Sequence, residues 1–102
     1  MVVMNGFVEA MAMASVPYIQ FGKGKAIVRQ FQNDVDEKEL VWHKDKKDRT
    51  FKVISGVGWK FQHDNELPFV MNIGDIIKVK KEKFHRVHKG QGKLIIEIEE
   101  HD

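Results

Sequence analysis

The sequence contains no cysteine, which excludes disulfide bonds, thiolate metal sites and cysteine nucleophiles. Ser15 and Ser55 are the only serines, and neither lies in a nucleophile-elbow pattern. The 17 Lys and Arg residues nearly balance the 15 Asp and Glu residues, so the net charge of +2 does not indicate a surface devoted to polyanions. Without disulfides, the fold must rest on packing alone or on packing together with a partner subunit.

The apolar start of the chain does not have the pattern of a secretory signal. No Lys or Arg precedes Lys23, and Glu9 interrupts the apolar run. The run is also shorter than the ~20 apolar residues that a membrane-spanning helix needs. We expect a cytoplasmic protein with no membrane segment, in which residues 1–24 form an N-terminal segment that packs on the barrel or at a homodimer interface.

Residues 25–102 read as one all-β domain. Short β-branched and aromatic runs alternate with Gly, Asp, Asn and Lys turns, which is typical of a small sandwich or barrel. Eight strands suit a jelly-roll β-barrel. The predicted strands are Ala26–Gln32, Leu40–His43, Thr50–Ser55, Gly58–Gln62, Phe69–Met71, Asp75–Val79, Phe84–Lys89 and Lys93–Glu99.

Strand alternation indicates which histidines can meet. Because alternate residues of a strand face opposite sides of the sheet, His43 and Asp45 point the same way if their strand runs that far. On the later strand His85 shares a face with Val87, whereas His88 lies on the other face. His85 and His88 therefore cannot both serve one interior site.

Two segments resemble the sequence motifs of the cupin family. Residues 39–56 resemble the first motif, in which a strand ends in metal ligands and a second strand leads to a glycine, here Gly56. Residues 74–86 resemble the second motif, because Gly74 is followed after eleven residues by His85. The resemblance covers about half of the chain and implies a small cupin-like jelly roll with an N-terminal extension.

The resemblance also implies a metal site. In the first motif, His43 takes the first histidine position and Asp45 takes the second, while Arg49 stands at the position of a glutamate ligand. His85 takes the histidine position of the second motif. A guanidinium has no lone pair to donate, so the ligand set becomes His43, Asp45 and His85. Two imidazoles and one carboxylate form the facial triad of non-haem Fe(II) enzymes, and Zn, Mn or Ni would satisfy the same ligands.

The resemblance leaves two functions open. One is a metal-dependent enzyme, a dioxygenase or isomerase, that acts on a small organic molecule. The other is a non-catalytic cupin whose metal site is vacant, in which Arg49 pairs with Asp45 and the barrel binds a sugar or organic acid. Arg49, Trp59 and Phe61 are the predicted ligand-binding residues, although the two aromatic rings fit the core equally well.

The basic stretch from Lys78 to Lys89 is the strongest signal for nucleic-acid binding, since it interleaves charge with aromatic residues. A charge-rich strand more often forms a solvated face or a protected edge. We therefore expect a small-molecule ligand and a homodimer, and we do not expect a nucleic-acid partner.

Overall fold

A computed structural model describes residues 16–102, and the apolar residues 1–15 of the predicted N-terminal segment lie outside this range. Within it, no helix is long and apolar enough to cross a membrane. In residues 16–102, a single 3-10 turn, Glu37–Glu39, accompanies eight strands. These are β1 (Tyr18–Lys23), β2 (Ala26–Phe31), β3 (Asp48–Val57), β4 (Lys60–His63), β5 (Phe69–Val70), β6 (Ile76–Val79), β7 (His85–His88) and β8 (Gln91–His101).

The strands form two antiparallel sheets. The larger has the order β1-β2-β8-β3-β6, and the smaller has the order β5-β4-β7. Sequence neighbours β2 and β3 are separated in the larger sheet by β8, which pairs with both. The predicted all-β fold class is confirmed, and the crossing connections are those of a jelly roll.

The core lies between the two sheets and follows the alternation of each strand. On β8, Leu94, Ile96 and Ile98 are buried and the residues between them are more exposed. The smaller sheet contributes Phe61 and Val87. The remaining buried apolar residues are Phe31, Val35, Leu40, Phe51, Val53, Trp59, Met71, Ile77 and Val79.

One end of the sandwich is closed by backbone packed around Trp59, whose ring is fully buried. A Cβ at Gly90 would lie 2.3 Å from the Trp59 backbone nitrogen and 2.4 Å from the Val57 carbonyl oxygen. Real Cβ atoms do not approach backbone this closely. Gly90 is therefore the residue that lets the β7–β8 connection pack against the segment before β4.

The predicted strand Leu40–His43 is wrong. Asp36 caps the 3-10 turn by accepting a hydrogen bond from the Lys38 amide at 2.9 Å, and the chain continues as a loop. Only His43 joins a sheet, through two backbone hydrogen bonds with His85 of 3.0 and 2.9 Å. This single bridge is sufficient to place the two histidines side by side.

Candidate metal centre

His43, Asp45 and His85 come together at the end of the sandwich opposite Trp59. His85 begins β7, where it pairs with His63 of β4 on one side and with the His43 bridge on the other. Asp45 follows His43 by two residues, and the Asp45 carbonyl accepts a hydrogen bond from the Glu82 amide. One ligand atom from each of the three residues lies within 4.8 Å of the others, as a shared metal ion requires.

Two atoms of this cluster are buried without a hydrogen-bond partner in residues 16–102. They are Oδ2 of Asp45 and Nε2 of His85, which lie 3.3 Å apart without the geometry of a hydrogen bond. The His85 side chain is fully buried and that of Asp45 is 11% exposed. Because a buried polar atom without a partner destabilises a fold, the pair fits a site that a ligand completes.

Backbone carbonyls fix the tautomers of both histidines. The carbonyl of Lys83 lies 3.0 Å from Nδ1 of His85, and that of Val41 lies 3.2 Å from Nδ1 of His43. A carbonyl only accepts, so each Nδ1 carries a hydrogen, and Nε2 has a lone pair to donate whenever its ring is neutral. This is how metal-binding histidines are commonly oriented.

Asp45 is held from the other side by Arg49. Nη1 of Arg49 lies 3.3 Å from Oδ1 of Asp45, while its Nη2 and Nε donate to Oε2 of Glu100 at 2.8 and 3.2 Å. The predicted pairing of Arg49 with Asp45 is thus present. The preceding residue, Asp48, accepts a hydrogen bond from the Lys81 amide. Arg49 thus contacts Oδ1 of Asp45, while Oδ2 of the same carboxylate faces His85.

The protonation states favour a cation at the centre. Burial is the largest influence on Asp45 and acts to raise its pKa, but His85 and the Arg49 charge together bring the pKa below its ordinary value. Burial lowers the pKa of His43, and the neighbouring His85 lowers it further. At neutral pH the carboxyl group is therefore ionised and the His43 ring is neutral, as metal ligands must be.

The sequence did not indicate two charged residues on the inward faces of the larger sheet, Glu100 and Arg29. Glu100 lies on the same face of β8 as Leu94, Ile96 and Ile98, two residues beyond the last of them. Arg29 lies on β2 and is only 8% exposed. Alternation along the two strands places them inside only once Ile27, Phe31 and Ile98 are known to face the core.

The structure places Trp59 and Phe61 in the core. Trp59 packs against Phe31, with ring centroids 5.9 Å apart, far along the sandwich from His85. Phe61 stacks on His85 at 5.6 Å and an interplanar angle of 14°. Phe61 therefore packs beneath His85 of the candidate metal centre, and the role of both rings in ligand binding stays a prediction.

An open cleft of about 450 Å³ lies elsewhere, between the β4–β5 turn and the β6–β7 connection. It is lined by three lysines, Lys78, Lys80 and Lys83, but also by Asp64 and Glu66. The mixture of signs does not give it the uniform positive field of a polyanion site. His43, Asp45 and His85 are not part of its lining.

Solved structures share the fold. DMSP lyase DddQ from Ruegeria pomeroyi DSS-3 aligns with a TM-score of 0.71 and 11% identity over 84% of this chain and 47% of its own. A cupin domain from Bordetella pertussis Tohama I aligns with a TM-score of 0.56 and 12% identity, over 89% of this chain and 100% of that one. Co(II) HppE in complex with Tris buffer aligns with a TM-score of 0.66 and 13% identity, over 95% of this chain and 60% of that one.

This chain spans about half the length of DddQ. No protein-family model and no curated protein sequence matches the chain. At these low identities the structural likeness concerns the fold, and it agrees with the two motif-like segments that end in Gly56 and contain His85. The chain therefore has the fold of the cupin superfamily.

Proposed function

We propose that this protein binds one divalent cation through Nε2 of His43, Nε2 of His85 and Oδ2 of Asp45. The observation that carries the proposal is the buried pair of atoms, Oδ2 of Asp45 and Nε2 of His85, that face each other without a hydrogen bond. The tautomers fixed by backbone carbonyls support it, because they direct the lone pairs of both rings away from the backbone. Fe(II) is our first candidate, with Zn, Mn and Ni as alternatives for the same ligands.

We further propose that the bound cation serves oxygen-dependent chemistry on a small organic molecule. Fe(II) held by two imidazoles and one carboxylate supplies redox chemistry with dioxygen and keeps positions free for other ligands. The protein's own residues orient the ligands and limit water. Arg49 fixes the Asp45 carboxylate, while Phe51 and Phe61 contact the His85 ring at centroid distances of 5.9 and 5.6 Å.

Metal titration of the untagged protein tests the proposal. After chelator treatment and dialysis, we expect uptake of one equivalent of Fe(II), Mn(II), Ni(II) or Zn(II), measured by calorimetry and elemental analysis. His85→Gln should lose stoichiometric uptake. The matched control is His88→Gln, on the same strand but the opposite face, which should bind like the wild type.

Circular dichroism must show that both variants remain folded. Wild-type protein that takes up none of the four ions, or a His85→Gln variant that still binds one equivalent, would refute the metal site.

The non-catalytic alternative also has an observation in its favour. Arg49 contacts Asp45 at 3.3 Å and offsets the carboxylate charge that a cation needs. If this ion pair replaces the metal, the protein binds an organic acid or sugar without turning it over. Absence of metal uptake together with calorimetric binding of such a ligand would establish this second function.

A homodimer through β1 remains a proposal. β1 is an edge strand of the larger sheet, and its Ile19 and Phe21 are 46% and 56% exposed. Pairing two such edges would cover both the apolar side chains and the free backbone groups. Light scattering at micromolar concentration should return twice the chain mass, and Phe21→Lys should halve it. A monomer mass for the wild type would refute the dimer.

A further inference from the structure

Arg29 is a buried cation without a carboxylate partner among residues 16–102. Its Nε and Nη2 both donate to Oε1 of Gln20, at 3.0 and 2.8 Å, and its guanidinium carbon lies 3.9 Å from the centre of the Tyr18 ring. Arginine does not deprotonate in proteins, so the fold holds a full positive charge here. An amide oxygen and an aromatic ring offset only part of its desolvation.

Arg29 faces the interior of the sandwich. It alternates with Ile27 and Phe31 on β2 and pairs in register with the buried Ile96 of β8. Ile96 pairs in turn with Val53 of β3, two residues from Phe51 on the same buried face. The Phe51 ring lies 5.9 Å from that of His85. Arg29 therefore belongs to the inward face whose residues pack on His85.

The two interior arginines, Arg49 and Arg29, differ in the charge of their side-chain partners. Arg49 has two carboxylate partners, Asp45 and Glu100, at distances of an ion pair. Arg29 has a neutral partner, Gln20, which holds one edge of its guanidinium fork through Nε and Nη2. Since the guanidinium offers five N–H donors, further donors remain for a ligand.

We propose that Arg29 binds the oxyanion of a small acidic molecule, a carboxylate or a phosphate group, whose remainder lies toward His43, Asp45 and His85. A guanidinium matches both kinds of oxyanion with paired hydrogen bonds. The inference rests on the proposed function for the fate of the rest of the molecule. Capture of the anion by Arg29 needs no metal and is tested without one.

The charge balance of the interior supports an acidic ligand. The interior holds two positive and two negative side chains, so its charges cancel. They are the guanidinium groups of Arg29 and Arg49 and the carboxylates of Asp45 and Glu100. A divalent cation would leave the site with an excess of positive charge, which an acidic ligand offsets. A neutral sugar would leave both the excess charge and the Arg29 donors without partners.

The test uses chelator-treated protein and three probes. Succinate and inorganic phosphate represent the two oxyanions, and succinamide is the neutral counterpart of succinate. We expect calorimetric binding of succinate, phosphate or both, and none of succinamide. Succinate alone would assign a carboxylate, and phosphate alone a phosphate group. Equal binding of succinamide, or no binding of either anion, overturns the proposal.

The chain offers a matched control for Arg29. Arg86 also donates its Nε to a glutamine oxygen, that of Gln62 at 3.0 Å, and lies 4.5 Å from the ring centre of Trp42. It belongs, however, to the face of β7 opposite His85. Arg29→Gln should weaken anion binding at least tenfold, and Arg86→Gln should change it less than twofold. Equal effects of the two substitutions would overturn the assignment.

A measurement on the wild type covers the case in which Arg29→Gln does not fold. The side-chain Nε–H signal of Arg29 in NMR spectra should shift on titration with the bound anion, and that of Arg86 should not. An unchanged Arg29 signal at saturation overturns the proposal. Anion binding in a protein that takes up no metal would leave this inference intact and refute the proposed metal site.

Discussion

Trp59 and His85 are both fully buried rings of the smaller sheet's layer, at opposite ends of the sandwich. Trp59 precedes β4, and His85 lies across from His63 at the other end of β4. The Trp59 ring packs in an apolar core and donates Nε1–H to the Gln91 carbonyl at 3.3 Å. The His85 ring is surrounded by Asp45, His43 and two phenylalanines, and its Nε2 has no partner in the described part of the chain.

The difference indicates that the Trp59 end contributes mainly to stability and the His85 end mainly to ligand binding. The Trp59 end is satisfied by the protein alone, so changes there should cost stability and leave ligand affinity intact. The His85 end keeps polar atoms that the protein does not satisfy, so changes there should cost ligand affinity with a smaller loss of stability. Four predictions test this contrast.

The largest expected effect is that of Gly90→Ala at the Trp59 end. The new Cβ would collide with the Trp59 nitrogen and the Val57 carbonyl, which as backbone atoms cannot rotate away. Overpacking of this kind should lower the free energy of unfolding by about 3 kcal/mol or more. The midpoint of urea denaturation measures it.

Gly92→Ala is the control for Gly90→Ala. Gly92 has a φ of +69°, but nothing lies within 4 Å of its Cβ position. Gly92→Ala should lower the free energy of unfolding only through the strain of a left-handed non-glycine residue, about 1 to 2 kcal/mol. If the folded fraction of Gly90→Ala binds metal more weakly than wild type, the two ends are not independent.

The second prediction concerns the stability that metal adds at the His85 end. At free metal 100 times the dissociation constant, the wild type should gain about 2.7 kcal/mol of unfolding free energy. Asp45→Asn should gain little, because the amide does not supply the charged ligand. Urea unfolding with and without Zn(II) measures both. An equal gain in the two proteins would place the metal elsewhere.

The third prediction concerns Arg49→Gln in metal-free protein. Asp45 and Glu100 would lose the cation between them, which should lower the unfolding free energy by about 1 to 3 kcal/mol. Lys44→Gln, which breaks the exposed Lys44–Glu82 pair, should change stability much less. If Arg49→Gln also strengthens metal binding, Arg49 competes with the cation; if it weakens binding, Arg49 serves to orient Asp45.

The smallest effect is expected in acid. The pKa of Asp45 is lower in the folded protein than in the unfolded chain, where it has its ordinary value near 3.8. Its stabilising contribution is therefore fully present above the unfolded pKa and is lost as pH falls through the folded pKa. In metal-free protein the stability difference between wild type and Asp45→Asn should shrink below pH 4. A difference that is constant with pH would show that the ionised carboxylate stabilises nothing.

Strand composition and turn residues made most of the fold predictable from sequence. The predicted strands Ala26–Gln32 and Asp75–Val79 match β2 and β6 to within one residue, because each is a short run rich in β-branched residues with turn residues beside it. The predicted Leu40–His43 strand failed because its bonding is tertiary. Leu40 ends the 3-10 turn, and the bridge at His43 depends on His85, 42 positions away.

The metal candidates were predictable because the motif spacing already contained them. Arg29 and Glu100 were not, since neither lies in a motif and a charged residue in a strand is ordinarily placed outside. Their location follows only when Ile27, Phe31 and Ile98 are assigned to one interior. Sequence thus predicted which three candidate ligands the fold brings together, and the fold was needed to show the charges that surround them.

The position of β8 between β2 and β3 determines when the site can be completed during synthesis. A ribosome that has released β1 to β7 has exposed a sheet with a gap in its middle, because residues 26–31 and 48–57 have no mutual pairing and wait for residues 91–101. The nascent chain then already carries His43, Asp45 and His85, but not Glu100. We expect the pulse-labelled nascent chain to stay protease-sensitive until β8 leaves the exit tunnel.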